Sequence, residues 1–281
     1  MFADALGPRA RRRVLVASLV SAVGVAALAY VALQRFADRG QLEADLWRPF
    51  TEWEIWRFLL GGLANTLKAA GAAMVLAMVV GAGMALGRLA RNGPVRWLAG
   101  AYVEFFRGFP LLLLLLFSAF GLRQWVDLPL FWYLVLALAV YNSAVLAEIF
   151  RAGILSLDRG QSEAAAAIGL RYWQGMRLIV LPQAFRRMIP AIVSQLVTLL
   201  KDTSLGFFIQ YHELLRRGQI NGSADRNLLQ SLLVVAAIYI AVNLVLSQVA
   251  RRLEVRQRRR YRAGAIAVTG VDDLAVAVDD R

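Results

Sequence analysis

The chain has no cysteine, one histidine and two lysines among its 281 residues. The missing cysteine excludes disulfides, cysteine-ligated metal sites and thiol chemistry. His212 stands alone and reads as an ordinary exposed residue. Without a His, Cys or paired-carboxylate constellation, intramembrane enzyme chemistry has no candidates. Lys68 is followed by Ala69 and Lys201 by Asp202. Neither completes the glycine-rich loop with Lys-Ser or Lys-Thr that cradles nucleotide phosphates. Charge is scarce too: 18% of residues are charged, against 59% hydrophobic. With a mean hydropathy of +0.55, the composition excludes an ordinary soluble domain.

What is present is a set of long apolar runs. A bilayer crossing needs about 20 such residues, and six runs qualify, near 14–33, 59–87, 99–120, 129–150, 188–209 and 228–249. The first follows Arg11, Arg12 and Arg13, as a signal peptide would. It is longer than a signal core and lacks a clean cleavage site, so it reads as a retained span. The predicted fold class is all-α, a polytopic bundle of six transmembrane helices.

The net charge of +13 follows this layout rather than a nucleic-acid face. Arginines gather before the first run (Arg9, Arg11, Arg12, Arg13), after the second (Arg88, Arg91, Arg96), between Arg151 and Arg187, and from Arg251 to Arg262. The alternate segments carry fewer, offset by Asp38, Glu43, Asp45, Glu52 and Glu54. Basic loops stay cytoplasmic, so both termini are expected inside. No nucleic-acid partner is implied. The bilayer is.

Three regions are expected. Residues 1–57 form a cytoplasmic arm, a first span and an external segment whose Trp47, Trp53 and Trp56 suit a headgroup region as a short interfacial helix. Residues 58–253 form a five-helix unit whose second span carries Gly81, Gly83 and Gly87, read as packing positions. Residues 254–281 are basic and then, beyond Arg262, without helical period and expected to be disordered.

The segment 152–187 is too long for a turn between neighbouring spans. Ser162 is a plausible cap for an alanine helix over Ala164–Ala167. Gly169 is placed to end that helix with a left-handed residue or a sharp bend. A second amphipathic stretch then runs to Leu181-Pro182. Two short helices about a glycine make a knob of small residues, with Glu163 as a charged anchor. A plain surface connector is the alternative.

Glu163-Ala164-Ala165, Gly169, Ile179 and Leu181-Pro182, with nine residues between Gly169 and Ile179, resemble the EAA loop of ABC importer permeases. YVEFFRGFPLL at 102–112, NSAVLAEIFRAGI at 142–154 and Lys201-Asp202-Thr203-Ser204-Leu205 resemble the polar amino-acid subfamily, and within it the glutamate permeases of high-GC Gram-positive bacteria. The likeness covers about Gly62 to Leu253. It implies a five-helix type I importer core, a multi-pass protein of a prokaryotic plasma membrane. The implied function is one permease subunit importing a polar amino acid: glutamate first, with glutamine, aspartate or a basic amino acid as alternatives. The implied partners are two ABC ATPase subunits gripping the loop, a second permease subunit, related or identical, and an extracytoplasmic substrate-binding protein. This chain would hold no cofactor, ATP and Mg belonging to the ATPases. The extra first span departs from the five-helix pattern.

Ionisable residues inside spans mark paths or pairs. Glu104 with Arg107, and Glu148 with Arg151, are spaced as helix-end charge pairs. Lys201 and Asp202 point about 100° apart on a regular helix, so either the helix breaks there or each has a partner elsewhere. With Thr203, Ser204 and Asn142 they are candidates for a gate or substrate path. Asn65 and Lys68 are weaker candidates. An ion-coupled secondary transporter is the competing class, but no internal repeat of the kind such folds show is found.

Overall fold

The computed structural model describes the backbone of residues 7–279; the side chains of residues 8, 159, 162, 254 and 256–279 lie outside that description. Among the described residues every regular element is helical. Five helices are long and apolar enough to cross a membrane, and a sharply bent pair makes a sixth crossing if it is one span. These are α1 (Pro8–Asp38), α2 (Trp53–Arg88), the bent pair α3 (Gly93–Gly108) and α4 (Leu111–Leu116), α5 (Leu130–Leu155), the stretch Tyr172–Ile209, and the last helix.

The third expected run is not one straight span. Its halves meet at 101°, because Phe109 is extended (φ −84°, ψ 132°) ahead of Pro110. Proline forces its predecessor out of the α region and donates no amide. Beyond α4 the backbone widens into a π-turn over Phe117–Gly121.

The core is a seam between α2 and α5. On α2 the small residues Ala69, Ala73, Ala77, Gly81 and Ala85 recur every fourth position, and all are buried. They let the α5 backbone approach closely. Against them pack Leu134, Leu138, Leu146 and Ala147. Gly81 is the tightest point: a Cβ there would lie 2.8 Å from the Ser143 carbonyl oxygen. Gly87 would meet Ala99 at 3.0 Å, whereas Gly83 faces open space. The packing role expected of the three glycines therefore holds for two.

A polar clasp closes one end of the seam. There Glu213 caps α9 (Leu214–Ala224), its carboxylate accepting from the Leu215 and Arg216 amides at 2.7 and 2.6 Å. The Thr66 hydroxyl of α2 accepts from the Leu214 amide at 3.2 Å, and the Arg217 guanidinium donates to the Phe58 carbonyl at 2.7 Å. Near the same end a 3-10 helix spans Ala44–Thr51, where a short interfacial helix was expected. Asn227 and Gln230, both buried at the start of the last helix, donate to the Leu46 and Gln41 carbonyls.

Several expected boundaries move. The division at 57/58 falls inside α2. The final helix α10 runs Leu228–Asp279, so its backbone stays helical beyond Arg262 where a disordered tail was expected. Alanine is frequent there and is the best helix former even without an apolar stripe to pack; the tail's side chains are outside the described residues. α1 packs little on the bundle: none of its spanning window is buried.

Gly81→Val should force α2 off α5 and lower stability by about 1–3 kcal/mol, while Gly83→Val should leave it unchanged. Thermal melts of the purified protein in one detergent check this. Equal midpoints for the two variants would remove Gly81 from the seam.

Candidate functional site: the two-helix knob and the polar cleft

The long connection is shorter than its sequence limits, since α5 continues to Leu155 and α8 (Leu181–Asp202) begins at Leu181. Between them stand α6 (Arg159–Ala167) and α7 (Tyr172–Gly175). The cap of α6 is Asp158, whose Oδ1 accepts from the Gly160 amide at 2.9 Å. Ser162, expected as the cap, lies within the helix, because the helix starts three residues earlier.

Gly169 has φ +80°, the left-handed of the two forms expected. The Gly169 amide donates to Ala166 O at 3.0 Å and the Leu170 amide to Ala165 O at 3.1 Å. This crossed pair satisfies the carbonyls left over at a helix end. The chain then turns back. The Arg171 amide donates to Gln174 Oε1 at 2.9 Å, starting α7. Ala165 is buried against Gly175, where a Cβ would come within 3.1 Å of the Ala165 methyl. Gln183 Nε2 donates to Gln161 Oε1 at 2.9 Å. Two short arms are thus clamped through small side chains.

Between α7 and α8 lies a π-turn, Met176–Val180. Pro182 lacks the amide that would continue the regular ladder, and a wide turn accommodates the defect. Ile179 is half-buried in that turn, and Leu181 and Pro182 open α8. Glu163, Ala164 and Gly169 are exposed. So are Ile168, at 72%, and Trp173, at 65%. Large apolar side chains left open on a capped knob form an exposed patch, a common feature of interaction surfaces.

The knob stands beside a charge cluster. Arg88 of α2 pairs with Glu148 of α5 at 2.6 Å and reaches Glu104 of α3 at 3.7 Å. Glu148 also pairs with Arg151 at 2.5 Å, as the spacing predicted. The expected Glu104–Arg107 pair is replaced by Glu104–Arg88. Sequence spacing finds partners within one helix and cannot find a cation supplied by another. Arg91 stacks over the Tyr172 ring at 5.5 Å, and Arg187 donates to Ser156 O at 2.6 Å. Arginines from two of the basic segments therefore share one side of the bundle.

The polar candidates divide. Asn142 is fully buried; its Nδ2 donates to Leu138 O at 2.8 Å and its Oδ1 accepts from Gln195 Nε2 at 2.7 Å, joining α5 to α8. Thr203 is also buried and donates to Leu200 O at 2.6 Å. The α-helix ends at Asp202, and a 3-10 helix spans Thr203–Ile209. A helix break directly after Asp202 is one of the two outcomes expected for adjacent Lys201 and Asp202. Among the described residues neither makes an ion pair with the other. Lys201 and Ser204, but not Asp202 or Thr203, line a cleft of about 670 Å³ with Val197, Val235, Tyr239 and Asn243. Asn243 was missed: its Oδ1 is buried without a hydrogen-bond partner. No motif flags it, since a lone asparagine in an apolar run resembles any structural amide. Asn65 Nδ2 donates to the His212 carbonyl at 2.9 Å, and Lys68 is exposed.

Residues 73–259 match the family described as the binding-protein-dependent transport system inner membrane component. The chain belongs to this family. Like its relatives it is a multi-pass membrane permease subunit of an amino-acid ABC importer, without catalytic activity of its own, the ATPase being a separate chain. The glutamate transport system permease protein GluD of Corynebacterium glutamicum is 42% identical over 81% of this chain and 85% of its own length. The probable glutamine ABC transporter permease protein GlnP of Bacillus subtilis is 43% identical over 71% and 94%. A crystal structure of an amino acid ABC transporter with histidines matches at a TM-score of 0.69 and 32% identity, covering 74% of the permease and 97% of the solved chain. An inward-facing MetNI methionine ABC transporter, at 20% identity and a TM-score of 0.56, shares the fold.

Glu213 offers a pH handle outside the spans. Burial pushes its carboxyl above the ordinary value of 4.5, opposed by the Leu215 and Arg216 amides and the Tyr239 hydroxyl. The folded permease therefore holds this proton to higher pH than the unfolded chain. This contribution is fully present below the ordinary value and is lost as pH rises towards the raised one. Glu213→Gln should remove that component of the pH profile, in melting curves taken from about pH 4 to 7. Parallel profiles for both proteins would exclude Glu213 as the titrating group.

Proposed function

We propose that this permease imports glutamate, and that Glu163, Ala164, Ala165, Gly169, Ile179, Leu181 and Pro182 form the contact through which two cytoplasmic ATPase subunits drive it. The observation that carries the coupling role is the rigid knob at the basic side of the bundle, capped, bent at Gly169 and apolar outside. Such a surface fits a cleft in a partner, and its continuity with α8 gives a displacement a direct route into the membrane. ATP and Mg belong to the ATPases; this chain binds neither. Both termini face the cytoplasm of a prokaryotic cell, in keeping with the arginine distribution.

The cleft holding Lys201, Ser204 and Asn243 is open on one side of the chain and would be closed by a second permease subunit, identical or related. An ammonium, a hydroxyl and an unpaired amide oxygen suit the carboxylate and ammonium of a free amino acid. Asn142 and Thr203, engaged by internal hydrogen bonds, hold the wall of that path. An extracytoplasmic binding protein delivers the substrate. Glutamate rests on the likeness to GluD. Glutamine and arginine permeases at comparable identity make those amino acids the alternatives, and titrating the cognate binding protein against an amino-acid panel separates them.

The coupling role has a direct test. Gly169→Val places a β-branched residue at φ +80°, which costs about 1–2 kcal/mol locally and re-aims α6. Glu163→Lys reverses the charge on the contact surface. In proteoliposomes both variants should insert normally, retain basal ATP hydrolysis by the complex and lose most ATP-driven uptake. Wild-type uptake in both would discard the knob as the coupling element.

A further inference from the structure

We propose that the arginine-bearing end of α1 is a binding site for an anionic phospholipid. This helix buries none of its spanning window against the bundle. At its basic end Arg9, Arg12, Arg13, Val16, Ala17 and Val20 lie along one open face of the helix. Their positions recur at three- and four-residue steps, so they occupy one face of the helix. Arg9, Arg12 and Arg13 come first, and the apolar residues follow toward the middle of the membrane.

That order matches a phospholipid end to end. Guanidinium groups bind phosphate oxygens through paired N–H donors. The run from Arg13 to Val20 descends about 10 Å along the helix, enough to lay an acyl chain against Val16, Ala17 and Val20. Ala17 keeps the middle of the face shallow. A soluble acidic protein would satisfy the arginines but not the apolar strip. A free anion would leave that strip equally unused. Arginines placed immediately beside a span sit where headgroups lie, and each contributes electrostatic attraction to an anionic surface.

The site is assigned to the lipid and is independent of which amino acid is transported. At the far end of α1 the chain is held by the Gln41 and Leu46 carbonyls. Lipid bound at the near end would fix the helix at both membrane faces without protein packing between them.

The experiment uses the whole chain in its transporter complex, in nanodiscs of phosphatidylcholine with a titrated fraction of phosphatidylglycerol, and counts retained lipid by native mass spectrometry. Wild-type protein should retain phosphatidylglycerol over phosphatidylcholine. The triple variant R9Q/R12Q/R13Q should weaken that preference about 100-fold. Ala17→Trp fills the apolar strip while leaving every charge, and hence the orientation of α1, intact; it should lower retention as well. Three results would overturn the site: equal retention of the two lipids by wild type, retention unchanged in either variant, or displacement of bound lipid by inorganic phosphate at equal concentration.

Discussion

Close approach of α2 and α5 is the constraint from which the rest of the bundle follows. In lipid, two helices gain no hydrophobic advantage from meeting, so association depends on contact distance and on shared polar groups. The four-residue stripe from Ala69 to Ala85 supplies the first. Arg88 with Glu148 supplies the second at one end, and at the other the Thr66 hydroxyl ties α2 to the Leu214 amide of α9. With both ends fixed, α8 can lean on the seam through Gln195 and Asn142, and the knob inherits a firm base.

The irregular parts of the chain sit where regular helix is chemically refused. Pro110 breaks the third crossing, Pro182 widens the turn before α8, and α8 gives way to a tighter helix at Thr203. Freed backbone groups in a membrane need partners inside the protein. At Thr203 and Ser204 the hydroxyls supply them, donating to the Leu200 and Lys201 carbonyls. This engages hydroxyls that the sequence suggested for transport, while Lys201, Ser204 and Asn243 line the cleft.

Much of the knob was readable because it is written in local chemistry. A glycine that must take positive φ, alanines that form helix and a proline that cannot donate act on their immediate neighbours, and Gly169, α6 and Pro182 fall where that logic put them. Five of the six expected spans were readable from length and hydropathy alone. What sequence missed is long-range or competitive. Arg88 reached Glu104 from another helix. Asp158 displaced Ser162 as the cap, because the helix began a turn early. Pro110 was passed over inside an apolar run whose hydropathy hides its geometry. Asn243 became notable only once its oxygen was seen without a partner.

The five-residue π-turn between the knob and α8 carries a mechanical implication. Each backbone bond in it spans one residue more than a regular turn, so the main chain is widened where the knob joins α8. On the proposed coupling role, any displacement of the knob passes through this widened turn before it reaches α8.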